Sequence, residues 1–156
     1  MTIRMLFSVA VGAALLVSAG CGSGPKLVPV SGIVTLNGEP LEGAELTFIP
    51  DPNNAEVTPG GDQTGPEGNY KAMYNYRSGL AAGKYTVLIS KKASTGEGAE
   101  DAPPEIMGDP TMAAMAGYME ETLPEKYSDP LKSDFTIEVP PEGGVFEFDV
   151  KGDSES

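Results

Sequence analysis

The sequence predicts an all-β fold, a β-sandwich of about seven strands with one short inserted helix. Two observations carry this. Apolar and polar residues alternate over six separate runs, which turns one face of each run toward a core and the other toward water. Between the runs the chain is dense in turn formers, with 20 Gly and 14 Pro in 156 residues and no Trp, a composition suited to many short strands and hostile to long helices. With a leader of twenty residues set aside, about 136 remain, enough for one domain that buries roughly two-thirds of its unfolded surface. The net charge of −13, from 10 basic and 23 acidic residues, keeps the chain soluble and makes nucleic acid and bare anionic lipid poor partners.

Met1-Thr2-Ile3-Arg4 is a short basic start, and Met5 to Val17 is almost wholly apolar, too short to span a bilayer comfortably and right for the core of a signal peptide. The segment ends Leu16-Val17-Ser18-Ala19-Gly20-Cys21-Gly22. Ordinary secretory cleavage after Ala19 is one processing route, with Val17 and Ala19 as the small-residue pair. The other follows from a resemblance: Ala19-Gly20-Cys21 is similar to a bacterial lipobox, in which small residues precede an obligatory cysteine, although Ser18 stands where an aliphatic residue is usual. Cys21 is the only cysteine, so it has no internal disulfide partner, and an unpaired thiol in an oxidising compartment is an odd feature. Lipidation is therefore favoured. The resemblance implies an acylated N-terminus held in membrane lipid at about 0.8 kcal/mol per buried methylene. Gly22, which is not the aspartate that retains such proteins at the inner membrane of some bacteria, points to the outer membrane or the periplasmic face. The expected layout is a signal peptide over 1–20, a lipidated flexible tether over 21–29, a β-sandwich over 30–151 and an acidic tail over 152–156.

Along the sandwich, Val30, Val34 and Leu36 share one side of a first strand, and Ala44, Leu46 and Phe48 one side of a second, with Glu45 and Thr47 opposite. Asn37-Gly38 tolerates positive φ at both central turn positions. Asp51 to Gly61 is a loop of turn formers. Tyr70, Ala72, Tyr74 and Tyr76 fall on one face of an extended run. Tyr85, Val87 and Ile89 face the core from a strong strand. Lys92 to Pro104 reads as a flexible loop, and Asp109 caps a helix of about three turns over 110–121, with Pro110 in its first turn. Phe135, Ile137 and Val139, and then Phe146, Phe148 and Val150, alternate inward in two further strands, read as a hairpin through Pro140 to Gly144.

The order and spacing of these segments resemble the carboxypeptidase regulatory-like, or transthyretin-like, domain. Pro40-Leu41-Glu42-Gly43-Ala44 and Gly79-Leu80-Ala81-Ala82-Gly83-Lys84-Tyr85 match its motifs in full, and the Thr64 to Tyr70 turn matches except at Gly65, where aspartate is usual. Leu123 to Tyr127 and Ser133 to Val139 look like the C-terminal half of small bacterial lipoproteins with this domain. The resemblance implies a prealbumin-like, Greek-key sandwich that serves as a structural or binding module for an envelope protein or glycan; it implies no ligand residue by residue.

No catalytic residue is expected. There is no His to serve as a base near neutral pH or as a zinc ligand, and the pairs Glu120-Glu121 and Glu100-Asp101 sit on charged segments that water solvates. No cofactor is expected either. Three binding readings stand beside this. Tyr70, Tyr74 and Tyr76 offer a stacking face for a ligand, against their ordinary use as half-buried sheet residues. Met107, Met112, Met115 and Met119 offer soft thioether ligands for copper, against a use in packing a short helix onto the sandwich. Asp51, Asn53, Asn54 and Asp62 offer oxygens for calcium, without the spacing of an EF-hand.

Overall fold

The computed structural model describes residues 24–94 and 102–152. The segment expected to be a signal peptide, Cys21, the pair Glu100-Asp101 and the tail beyond Gly152 lie outside the described residues. The strands, in chain order, are β1 (Leu27–Val28), β2 (Val30–Leu36), β3 (Glu39–Pro40), β4 (Glu45–Pro50), β5 (Gly60–Gln63), β6 (Asn69–Lys71), β7 (Met73–Tyr74), β8 (Arg77–Ser78), β9 (Leu80–Ala81), β10 (Gly83–Ser90), β11 (Lys92–Ala93), β12 (Glu120–Glu121), β13 (Thr136–Val139), β14 (Gly144–Val145) and β15 (Phe148–Val150). Helices α1 (Pro104–Met107) and α2 (Pro110–Met115) lie between β11 and β12. The protein is all-β, and seven of these strands, β2, β4, β5, β6, β10, β13 and β15, have three residues or more.

One antiparallel sheet runs β13-β10-β4-β5-β7-β8. The other is built on β2, which takes β14 and β15 in parallel and β6 and β3 antiparallel. Alternation sets which side chains meet between them. Leu46, Phe48, Tyr85, Val87 and Ile89 project from the first sheet, Val30, Val34, Tyr70, Phe148 and Val150 from the second, and all are buried. Rings carry the contact: Phe48 lies 5.8 Å from Tyr70, Tyr70 stacks 6.1 Å from Phe148, and Phe135 packs 5.2 Å from Phe148 and 5.4 Å from Tyr127. Gly32 makes the second sheet possible. A Cβ there would stand 1.7 Å from the Phe146 carbonyl oxygen, so only glycine lets the chain before β15 lie against β2.

Asn37-Gly38 forms the expected turn, with φ of +54° and +88°, and joins β2 to β3. Three expectations change. The two C-terminal strands are not a hairpin: β13 pairs with β10, whereas β14 runs parallel to Val30-Ser31 and carries the chain across to the other sheet. The helix over 110–121 stops at Met115, and a second, α1, precedes it. Asp109 caps α2 as expected, accepting from the Thr111 and Met112 amides at 2.8 and 3.2 Å. The stop is a Schellman closure, in which Gly117 at φ +82° lets its own amide reach Ala114 O and the Tyr118 amide reach Ala113 O. The chain then continues into Glu120–Glu121, which pairs with Lys92–Ala93, so the stretch read as a loop opens with a strand.

Candidate functional site

The two ends of the sandwich differ. At one end the chain enters. β1 is held by β9, with Leu27 opposite Ala81 and Val28 opposite Leu80. The Lys26 amide donates to Glu56 Oε2 at 3.0 Å, and Arg77 Nη2 reaches the Pro25 carbonyl at 3.5 Å. Beneath β9 sits a buried polar set: the Ala81 amide donates to Thr58 Oγ1 at 2.9 Å, Tyr85 Oη donates to Ala81 O at 2.8 Å, and the two hydroxyls lie 2.7 Å apart. The β7–β8 hairpin points toward this same end. β7 meets β5 at Met73 and Gly61 and runs antiparallel to it, so the tip lies toward Gly60, where β4 ends and β10 begins.

At the other end the sheet's outer face is partly covered by the segment carrying α2. A groove of about 510 Å³ opens there, lined by Glu45, Gln63, Ser90, Lys92, Met115 and Met119 among others. A second groove, of about 570 Å³, crosses β4, β10 and β13, with Asp51, Lys84, Thr86 and Glu138 in its wall. Both mix charged and polar side chains with apolar ones, Ile49, Pro50, Pro52 and Ile137 in the groove across β13 and Met115 and Met119 in the groove by α2. The Asp51 carboxyl is held below the usual carboxylate range by hydrogen bonds from the Asn53 amide N–H and side chain, and Asp149 by those from Lys151, Thr35 and the Gly38 amide. These shifts favour the charged base form, the opposite of what a carboxylic general acid needs.

The sequence-predicted residues are dispersed. Tyr70 is buried between the sheets, with its hydroxyl donating to Phe146 O at 2.8 Å, and burial pushes its phenol well above the ordinary value. Tyr74 is half-buried. Tyr76 is 99% exposed, since Asn75 and Tyr76, at φ +47° and +62°, form the hairpin turn and break the extended run. The three tyrosines therefore do not share a face. Of the methionines, Met115 and Met119 line the groove by α2, while Met107 and Met112 do not. Of the methionines of that helix, Met112 and Met115 are exposed, while Ala113 is buried. Among the described residues, no three His, Cys, Asp or Glu side chains assemble as a metal site. Asp51, Asn53 and Asn54 form one loop knot, in which the Asn54 amide group bridges Lys84 N and O, whereas Asp62 accepts from the Lys71 amide at 2.6 Å, away from them.

Thr58, Arg77 and the turn at Tyr76 were not singled out from sequence. Asn75, a residue that tolerates left-handed backbone, was the one local signal for the turn. Comparison with protein-family models, with curated proteins and with solved structures returns no match to this chain. No helix among the described residues is long and apolar enough to cross a membrane.

Proposed function

We propose that this is an exported protein, anchored by acyl chains on Cys21 to a bacterial envelope membrane, whose sandwich is a noncatalytic structural or binding module. The observation that carries the reading is the placement of the sole cysteine. It directly follows an apolar run that ends in small residues. The domain is of the carboxypeptidase regulatory-like type, a prealbumin-like Greek key. Support comes from what its motif residues do: Thr64 Oγ1 accepts from Ala44 N at 2.8 Å and donates to Leu41 O at 2.5 Å, so the Thr64 turn clamps the Pro40 to Ala44 motif. Intact-mass spectrometry on protein purified from its native membrane tests the anchor. An acylated species beginning at Cys21, lost in Cys21→Ser, is expected; an unmodified chain beginning at Gly20 overturns it. For the binding role, the groove by α2, which sets Glu45, Gln63, Ser90 and Lys92 beside Met115 and Met119, supports a protein or glycan of the envelope as partner, and cross-linking in intact cells from Lys92 should capture it.

A further inference from the structure

Resting on the anchor at Cys21, we propose that the tip of the β7–β8 hairpin, Asn75-Tyr76-Arg77, is a membrane-interface contact that seats the domain on the lipid surface with this end down. Three observations converge on it.

Reach comes first. Cys21 and Gly24 are three residues apart, about 11 Å at full extension, and the headgroup layer of one leaflet is itself about 5–8 Å deep. Gly24 is thus kept at or just above the headgroups. Arg77 lies against it, since a Cβ on Gly24 would stand 3.0 Å from the guanidinium, and the same side chain reaches Pro25 O. A hairpin that touches the tether this close to the acyl boundary stands in the interfacial zone.

Strain comes second. Tyr76 is 99% exposed and sits at φ +62°, a backbone that disfavours a side chain by about 1–2 kcal/mol and in such turns ordinarily falls to glycine. Packing gives no reason for an aromatic there. An interface does: the ring lies at headgroup depth and the hydroxyl stays wet.

Charge comes third. With 23 acidic residues against 10 basic, most of the surface is repelled by anionic lipid. Lys26 and Arg77 stand together at this end, where a guanidinium can pair with lipid phosphate, and Glu56 is turned onto the Lys26 amide. Val57, 55% exposed beside it, adds apolar surface. In this seating the groove by α2, at the opposite end of β4 and β10, faces away from the membrane and is open to a partner.

Because the chain has no Trp, single substitutions report cleanly. The lipidated protein carrying Tyr76→Trp, and separately Leu131→Trp, is reconstituted into vesicles of phosphatidylethanolamine and phosphatidylglycerol with bromine on the upper acyl carbons of part of the lipid. Leu131 precedes β13, on the opposite edge of the sheet from β8, and is 93% exposed. The expected result is that Tyr76→Trp emission shifts to the blue and loses most of its intensity to bromine, while Leu131→Trp emits as in water. Vesicle flotation with a water-like Tyr76→Trp overturns the hairpin contact and leaves the anchor standing. Equal quenching of both probes overturns the seating. A protein that neither floats nor carries acyl mass removes the anchor, and the contact with it.

Discussion

Removing one oxygen atom from the interior by Tyr85→Phe should loosen the end of the domain where β1 pairs with β9. Tyr85 has one proton and gives it to Ala81 O, so Thr58 supplies the proton between the two hydroxyls, and the Ala81 amide completes the set. Thr58 and Tyr85 are buried, so water cannot replace a lost partner. Tyr85→Phe leaves the Thr58 hydroxyl proton without an acceptor and removes the donor to the Ala81 carbonyl; Thr58→Val orphans the Ala81 amide. An unsatisfied buried group costs about 1–3 kcal/mol, so each substitution should destabilise by roughly 2 kcal/mol, a fall in Tm of roughly 3–5 °C per kcal/mol for a domain of this size. The bond between the two hydroxyls is lost in either variant, so the double variant should fall short of the sum by about 1 kcal/mol. Urea unfolding of the four proteins gives these values. Hydrogen exchange gives the consequence: Ala81 pairs with Leu27, so the Leu27 and Val28 amides should exchange faster in both single variants. A loss below about 0.5 kcal/mol for Tyr85→Phe, or strict additivity, refutes the reasoning.

Gly32→Ala should destabilise by at least about 3 kcal/mol, read by the same unfolding assay, because the added carbon meets the Phe146 carbonyl at 1.7 Å and backbone has to move. Tyr76→Gly should raise stability by about 0.5–1 kcal/mol by relieving the left-handed turn, the glycine's own entropy offsetting part of the gain, and in vesicles it should weaken the seating without releasing the anchor. At high pH, burial raises the phenols of Tyr70 and Tyr85 above the ordinary 10.0. A raised folded pKa contributes stability that is fully present below 10.0 and is lost as the pH climbs through the folded values, so two of the six tyrosines should ionise only together with unfolding, followed by tyrosinate absorbance and circular dichroism. On the acid side the sign reverses. Asp51 and Asp149 lie below 3.8 when folded, so their contribution is present above 3.8 and is lost as the pH falls through the folded values.

The core faces were legible because a side-chain period of two is a local property. Leu46 and Phe48, or Tyr85, Val87 and Ile89, point inward whichever strand lies beside them. Partner choice is not local: nothing in Asp134 to Val139 says that it pairs with β10, and the crossing at Gly144-Val145 depends on a parallel contact with β2 more than a hundred residues earlier in the chain. The helix end was legible in principle, since Gly117 is a strong stop, but Met119 and Glu121 kept an apparent helical pattern going beyond it. The tyrosine face failed for a similar reason. A period of two runs through Tyr74 and Tyr76 in the sequence, and the turn at Asn75 reverses the chain between them. Of the proposed functional elements, Cys21 was visible because export signals are linear. Arg77 became visible only when the fold laid it on Pro25.

The residues that carry the family resemblance are occupied in holding the fold. Thr64 clamps Leu41 and Ala44, Leu80 fills the core, Ala81 presents both backbone groups to the Thr58 and Tyr85 hydroxyls, and Asn54 locks Lys84 at the start of β10. A motif whose side chains are used in this way specifies a scaffold and leaves its ligand unspecified, which is why the resemblance implies an architecture and no binding residue. What distinguishes this chain must then come from the residues the scaffold does not need. Tyr76 is held exposed against its backbone preference, and Met115, 85% exposed, stands at the rim of the groove by α2. They lie at opposite ends of the sandwich. On the proposed anchoring, one end is held at the lipid surface and the other is open, a geometry that holds a partner at a fixed height above a membrane by position and surface alone.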